Sequence, residues 1–497
     1  MNQKVTIRRL PSGVPGLDEL LGGGIPEFSF NLIAGSPGSG KTTLAHQIMF
    51  SLAGPDCRAL FFTVLGEPPL KMLRYQQQFS FFDLDKVNKS IRFVNLASDL
   101  LDGDFDRVLA RIAKEVQNFL PSLVFVDSFR SVAQTSKTPM GVEANGLQHF
   151  VQQLGMQMTT WQATTFLIGE YHAPESEASP IFTVADGILS MTQSVHRDSM
   201  VRKVQVVKMR GQAQKPGLHT FRIKDAGIEI FPRAIVRADV TEEQSLRGDQ
   251  RLQMGIPLLD EMFGGGLPVG YSLLVVGPTG SGKTVLATQF LAEGVRIGEP
   301  GVIAAFEKSP NQMLSYRLDQ MVKGDQVGVI NTRGLDLSID ETLHDMIGMI
   351  ERMKAKRVVI DSLSGFELAL APVFREDYRE SLYRLVAVLT SMGVTVLVTA
   401  ELEDRYTDLR FSSYGNAFLT DAILMLRYVE LNGQFKRVVS VVKVRGSAHS
   451  KDIRFFDIED DTIIVGEALS HYNGVLSGQP MIAGLLSLVK NAEAKPV

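Results

Sequence analysis

The chain has 497 residues, with 51 Lys plus Arg against 55 Asp plus Glu and a formal net charge of −4. At roughly 100–200 residues per domain, this length predicts more than one buried core, and the acidic balance lacks the global basic signature of a dedicated nucleic-acid binder. The lone Cys57 excludes an intramolecular disulfide framework and Cys-cluster zinc or iron–sulfur sites. No run of about 18 apolar residues predicts a membrane span. The charged start MNQKVTIRRL lacks the apolar segment of a secretory signal, so the expected compartment is a reducing cytoplasm.

In chain order, Phe28 to Ala34 is an apolar run that enters a Gly-rich loop, and TTLAHQIMFSLA after the loop has helical character. Arg58 to Val64 predicts a strand. Residues 105–119 place apolar side chains at helical spacing, and Leu123 to Val126 and Thr165 to Gly169 predict short buried strands. Strands alternating with helices imply right-handed crossovers and a mostly parallel sheet. Residues 186–231 are strand-rich and predict antiparallel hairpins appended to that sheet.

The order then repeats. At a constant offset of 242, Gly13, Pro15, Asp18 and Glu19 match Gly255, Pro257, Asp260 and Glu261, and Lys41 matches Lys283. Further on, VFVDS (124–128) answers VVIDS (358–362), and VVKMRG (206–211) answers VVKVRG (441–446). A period this long is two copies of a whole domain. The expected domains are 1–240 and 241–480, with a polar linker at 233–250 and a short tail at 481–497.

The strongest chemical signal is a pair of loops matching G-x-x-x-x-G-K-[ST]. The first is Gly35-Ser36-Pro37-Gly38-Ser39-Gly40-Lys41-Thr42, followed by Thr43. The second is Gly277-Pro278-Thr279-Gly280-Ser281-Gly282-Lys283-Thr284, followed by Val285. Glycines let backbone N–H groups curl around a phosphate, and the following helix turns its positive end to the same anion. Lys41 and Lys283 are expected to reach the β- and γ-phosphates, and Thr42 and Thr284 to hold Mg²⁺. A chance match in one Gly-rich loop is the alternative, and two matches in register argue against it.

Asp127 and Asp361 end buried strands, where such a loop's partner anchors Mg²⁺; the alternative is a helix cap shared with Ser128 and Ser362. A carboxylate should also orient the attacking water. Glu307 in FEKSP is the candidate in copy two. In copy one Gly66 stands opposite Glu307, and Glu67 is displaced by one residue, which on a strand reverses the side chain. Solvated strand-end charge is the alternative for both glutamates. Glu170 and Glu401 end further apolar strands, and Glu401 is either a second acidic group near the phosphates or a sheet-edge charge.

The tandem loops, the G-x-P-x-L-D-E-x-x-G-G-G segment, the strands ending in Asp-Ser, K-x-R-G-S-x-H at 443–449 and LSG at 476–478 together resemble KaiC, the RecA-like ATPase family of the bacterial circadian clock. The resemblance spans roughly residues 10–480. It implies two tandem RecA-like α/β domains, ATP and Mg²⁺ as cofactors, and a six-subunit double ring with ATP between adjacent subunits. Lys208 and Arg210 would then reach the phosphates of a neighbour's first domain, and Lys443 and Arg445 those of its second; the alternative is a basic pair facing solvent. A KaiB-like protein is an implied partner. The family's adjacent Ser-Thr autophosphorylation pair falls on Ala417-Phe418, which lack hydroxyls, so slow ATP hydrolysis in signalling or timing is expected without that cycle. The alternatives are an autokinase with acceptors at Ser412 and Ser413, a DNA-dependent recombinase or helicase motor, and a scaffold with ATP as structural glue.

Overall fold

The structure is a computed structural model and describes residues 7–63, 69–99, 105–128, 143–171, 180–196, 199–234, 250–306, 315–331, 337–375, 377–402, 420–431, 433–470, 472–474 and 481–482. The chain divides into two compact units, Met1–Arg233 and Ala234–Val497.

Unit one opens with a two-stranded ribbon, β1 (Arg9–Leu10) and β2 (Ile25–Pro26). A nine-stranded sheet follows, built from β3 (Phe30–Gly35), β4 (Ala59–Thr63), β5 (Ile91–Asn95), β6 (Leu123–Asp127), β7 (Thr164–Glu170), β8 (Gly187–His196), β9 (Ser199–Met209), β10 (His219–Lys224) and β11 (Gly227–Phe231). Its order is β11-β10-β9-β8-β3-β7-β6-β4-β5. The six strands from β8 to β5 run parallel, and β8 to β11 form an antiparallel meander.

The parallel strands read as near-continuous apolar runs because helices cover both faces. Successive side chains alternate between two cores. Phe61, Phe125, Phe166 and Ile168 join Leu44 and Ile48 of the helix Lys41–Leu52 on one face. Leu60, Phe62, Val124 and Leu167 join Val108, Ile112 and Leu154 on the other. Each such aliphatic or aromatic side chain contributes about 1.5–3 kcal/mol when fully buried. Gly16 marks a tight approach: its φ is 79°, and a Cβ there would lie 2.0 Å from the Ile230 carbonyl oxygen.

Unit two repeats the plan. The ribbon is β12 (Arg251–Leu252) with β13 (Leu267–Pro268). The sheet comprises β14 (Ser272–Gly277), β15 (Gly301–Ala305), β16 (Val327–Asn331), β17 (Arg357–Asp361), β18 (Thr395–Glu401), β19 (Ala422–Leu431), β20 (Gln434–Val444), β21 (Ile453–Glu459) and β22 (Thr462–Ala468). Its order, β22-β21-β20-β19-β14-β18-β17-β15-β16, is that of unit one strand for strand. The expected α/β architecture of two RecA-like domains, each a mostly parallel sheet with appended hairpins, is the one observed. Among the described residues no helix is long and apolar enough to cross a membrane.

Candidate functional site

In each unit the Gly-rich loop leaves the C-terminal end of a fully buried strand and feeds a helix. Gly40 and Gly282 stand just before the helices Lys41–Leu52 and Lys283–Arg296, with φ of 99° and 101° and no side-chain cap. The first-turn N–H groups are therefore left for an anion, which the helix end also favours. Ser39 and Ser281 are buried within the loops, and neither hydroxyl has a hydrogen-bond partner. The Lys41 ammonium donates to the Ser36 carbonyl at 2.8 Å. Lys283 donates to the carbonyls of Gly277 and Pro278 at 2.8 and 2.9 Å.

The strand-end aspartates meet the loop threonines. The Thr42 hydroxyl donates to Asp127 at 2.6 Å, and that of Thr284 to Asp361 at 2.8 Å. Thr399 also donates to Asp361. In both units the peptide bond after the aspartate is cis. A hydroxyl and a carboxylate side by side are hard oxygen donors of the kind Mg²⁺ takes, alongside water and phosphate oxygens. A cavity of about 360 Å³ in unit one is lined by Gly38, Gly40, Lys41, Thr42, Thr43, Thr63, Asp127 and Glu170, among others. Burial pushes the Lys41 ammonium below its ordinary pKa, and the nearby carboxylates of Glu170 and Asp127 pull the other way.

The basic pairs lie elsewhere in their own units. Lys208 is paired with Ile188, which is paired with Leu32 in the first half of β3. The Arg210 N–H donates to the Asp186 carbonyl, and the Asp186 N–H to that of Phe30. Arg445, Asp421 and Ser272 repeat this chain in unit two. Each arginine is thus level with the first residues of the strand whose last residue opens the loop, about 16 Å away along that strand. Lys208 donates to the carbonyls of Phe182 and Thr183, and Lys443 to that of Thr420. Arg210 pairs with Asp186 at 3.1 Å and Arg445 with Asp421 at 3.3 Å. Burial and then the adjacent arginine lower the pKa of both lysines.

The structure thus brings together Gly35 to Thr43 with Asp127, and Gly277 to Val285 with Asp361, and sets Lys208, Arg210, Lys443 and Arg445 at the far ends of their sheets. Glu67 and Glu307 lie outside the described residues, as do Ser412, Ser413, Ala417 and Phe418. Asp186, the ion-pair partner of Arg210, does not stand out in the sequence. Its signal is faint: ADGIL at 185–189 answers TDAIL at 420–424 at a different offset from the loops.

A Gly-rich loop at the end of a central parallel strand, with a Thr in the helix after it donating to an Asp that ends the strand beyond the next one, defines a P-loop NTPase of the RecA-like kind, here present twice. The family model described as the KaiC ATPase matches residues 10–235 and 252–470. The circadian clock oscillator protein KaiC of Rippkaea orientalis is 27% identical over 488 residues, 95% of this chain and 92% of that protein. The circadian clock protein KaiC3 of Synechocystis sp. is 28% identical over 493 residues, 96% and 95% of the two chains. The circadian clock oscillator protein KaiC of Prochlorococcus marinus is 27% identical, covering 95% and 96%. The chain belongs to the KaiC ATPase family.

Proposed function

We propose that the protein is a slow ATPase of signalling or timing that works as a homohexameric double ring, with ATP held between neighbouring subunits in both of its domains, 1–240 and 241–480. The observation that carries this reading is the separation of each basic pair from its own loop. A cation that neutralises charge on the transferring γ-phosphoryl group has to touch it. With Arg210 and Arg445 level with the far ends of β3 and β14, a second copy of the chain is the natural recipient of their charge. The gap also supplies a reason for assembly to depend on nucleotide.

In this reading the backbone N–H groups of Gly38 to Thr42 and of Gly280 to Thr284 cradle the phosphates. Lys41 and Lys283 turn from the loop carbonyls to the β- and γ-oxygens. Thr42 with Asp127, and Thr284 with Asp361, hold Mg²⁺, which when bound neutralises phosphate charge. Glu307 orients the attacking water in the second domain, and Glu67 serves the first in an adjusted geometry. With Ala417 and Phe418 at the acceptor positions, phosphate goes to water and not to the protein. A KaiB-like protein is the partner to look for.

Subunit mixing tests the shared site. One variant lacks both loop lysines (Lys41→Ala with Lys283→Ala), the other both arginines (Arg210→Ala with Arg445→Ala). Each alone is expected to release almost no phosphate, and a mixture is expected to regain activity. A mixture as inactive as its parts contradicts the reading.

A further inference from the structure

The strand between the loop strand and the aspartate strand also ends in a carboxylate, in both units. In unit one β7 lies between β3 and β6, and Glu170 is paired with Gly35, the first loop residue. In unit two β18 lies between β14 and β17, and Glu401 is paired with Gly277. Neighbouring strands are about 4.8 Å apart, so each glutamate starts close beside the loop's origin.

The side chains also share a face. Asp127 is paired with Ile168, and Glu170 follows two residues on. By the two-residue period of a strand, Asp127 and Glu170 point to the same side. That side carries the loop helix, since Ile168 shares its core with Leu44 and Ile48. Glu170 lines the cavity together with Lys41, Thr42 and Asp127. Among the charges acting on Lys41, Glu170 outweighs Asp127. In unit two, Val359 and Leu397 share their core with Leu286, which puts Asp361 and Glu401 on the loop-helix side in the same way.

One local explanation is a clasp on the loop. Glu401 accepts from the Thr279 hydroxyl. In unit one the matching loop residue is Pro37, which has no hydroxyl to offer. The Thr279 hydroxyl is thus particular to unit two, whereas the carboxylate beside the loop is common to both.

We propose that Glu170 and Glu401 are catalytic residues of the two phosphoryl sites, each accepting a hydrogen bond from the water that attacks the γ-phosphorus. The inference rests on the ATPase reading given above. The water oxygen forms a bond to the γ-phosphorus as the bond to the β,γ-bridging oxygen breaks. The water proton passes to the carboxylate and on to the departing phosphate, leaving ADP and inorganic phosphate. In unit one this places a carboxylate at the water whatever direction Glu67 takes.

The test uses the full chain with Glu170→Gln and Glu401→Gln together, beside wild type. The readouts are ATP affinity by equilibrium binding, phosphate release, and the identity of the bound nucleotide after one turnover time. General acid–base groups contribute about 10²–10⁴-fold, so phosphate release is expected to fall by at least ~100-fold. ATP affinity stays at the wild-type value, and the bound nucleotide remains ATP. The Asp pair at the same positions keeps the charge with a shorter reach and is expected to restore part of the rate. Wild-type release by the Gln pair, with bound ATP converted to ADP, overturns the proposal. So does a loss of affinity that accounts for the whole loss of rate, which would make the glutamates supports of the loop. Wild type that binds ATP and releases no phosphate overturns the ATPase reading and this inference with it, and that arm is read before the variants.

Discussion

Lys41 is held between burial, which disfavours its charge, and the carboxylates of Glu170 and Asp127, which favour it. A bound phosphate tips that balance toward the charged form. Hydrogen bonds to charged groups are worth about 1.5–3 kcal/mol, so Lys41→Ala or Lys283→Ala should each weaken ATP binding at one of the two sites by roughly 10–150-fold. An ATP titration resolving both sites checks this; unchanged affinity in either variant would remove that lysine from the site. His46 sits one turn into the same helix with no exposed surface, stacked on Phe61 at 4.5 Å. Burial lowers its pKa from 6.5 to about 3, with Gln76 offsetting part of the shift. The unfolded chain therefore takes up a proton at His46 that the folded chain refuses. Stability is intact above pH 6.5 and falls as pH drops from there toward about 3, by up to ~1.4 kcal/mol per pH unit. Unit two has Thr288 at the matching position. His46→Thr should flatten this acid limb in urea unfolding followed across that range, and an unchanged limb would contradict the argument.

At the scale of elements, the two units differ where one strand starts. Arg357 opens β17 with no exposed surface, where β6 opens with the apolar Leu123. The guanidinium pairs with Glu299 at 3.1 Å, donates to the carbonyls of Gln253 and Phe290, and lies over the Phe290 ring. It ties the ribbon, the loop helix and the sheet of unit two together. Removing one partner of a buried ion pair costs about 3–5 kcal/mol, and the part-exposed Glu299 puts Arg357→Ala near the lower end. Arg357→Leu, which copies unit one and fills the volume, should cost less. Chemical denaturation of both variants checks the order, and equal losses would show that the lost charge pairing, and not packing, sets the cost there. Elements of this kind were legible where the signal was local. The alternating strands, the helix at 105–119 and both loops follow from composition and spacing within a few residues. The burial of His46 was not, because the helix Lys41–Leu52 is enclosed on most of its surface and no polar face sets one position apart. Asp186 was not legible either. Its use depends on the register of the β8–β9 hairpin, which joins residues far apart in sequence.

At the scale of the whole molecule, the repeat was visible as a period, and the repeat is what makes each site a pair of comparable experiments. The loops and the aspartates could be placed from sequence because the chemistry demands those residue types at those spacings. The distance of Arg210 and Arg445 from their own loops could not, since it follows from the strand order of the folded sheet. In the proposed double ring that distance makes the two nucleotide sites shared sites, so assembly and hydrolysis are expected to rise and fall together with ATP. The most direct measurement follows ATP labelled on its γ-phosphate, incubated with purified protein and Mg²⁺, into free phosphate and into protein. Label is expected in free phosphate and not on the protein, with release reduced in Glu307→Gln. Label accumulating on the protein would contradict it and send attention to Ser412 and Ser413, and bound ATP with neither release nor label would leave ATP as the mortar between subunits.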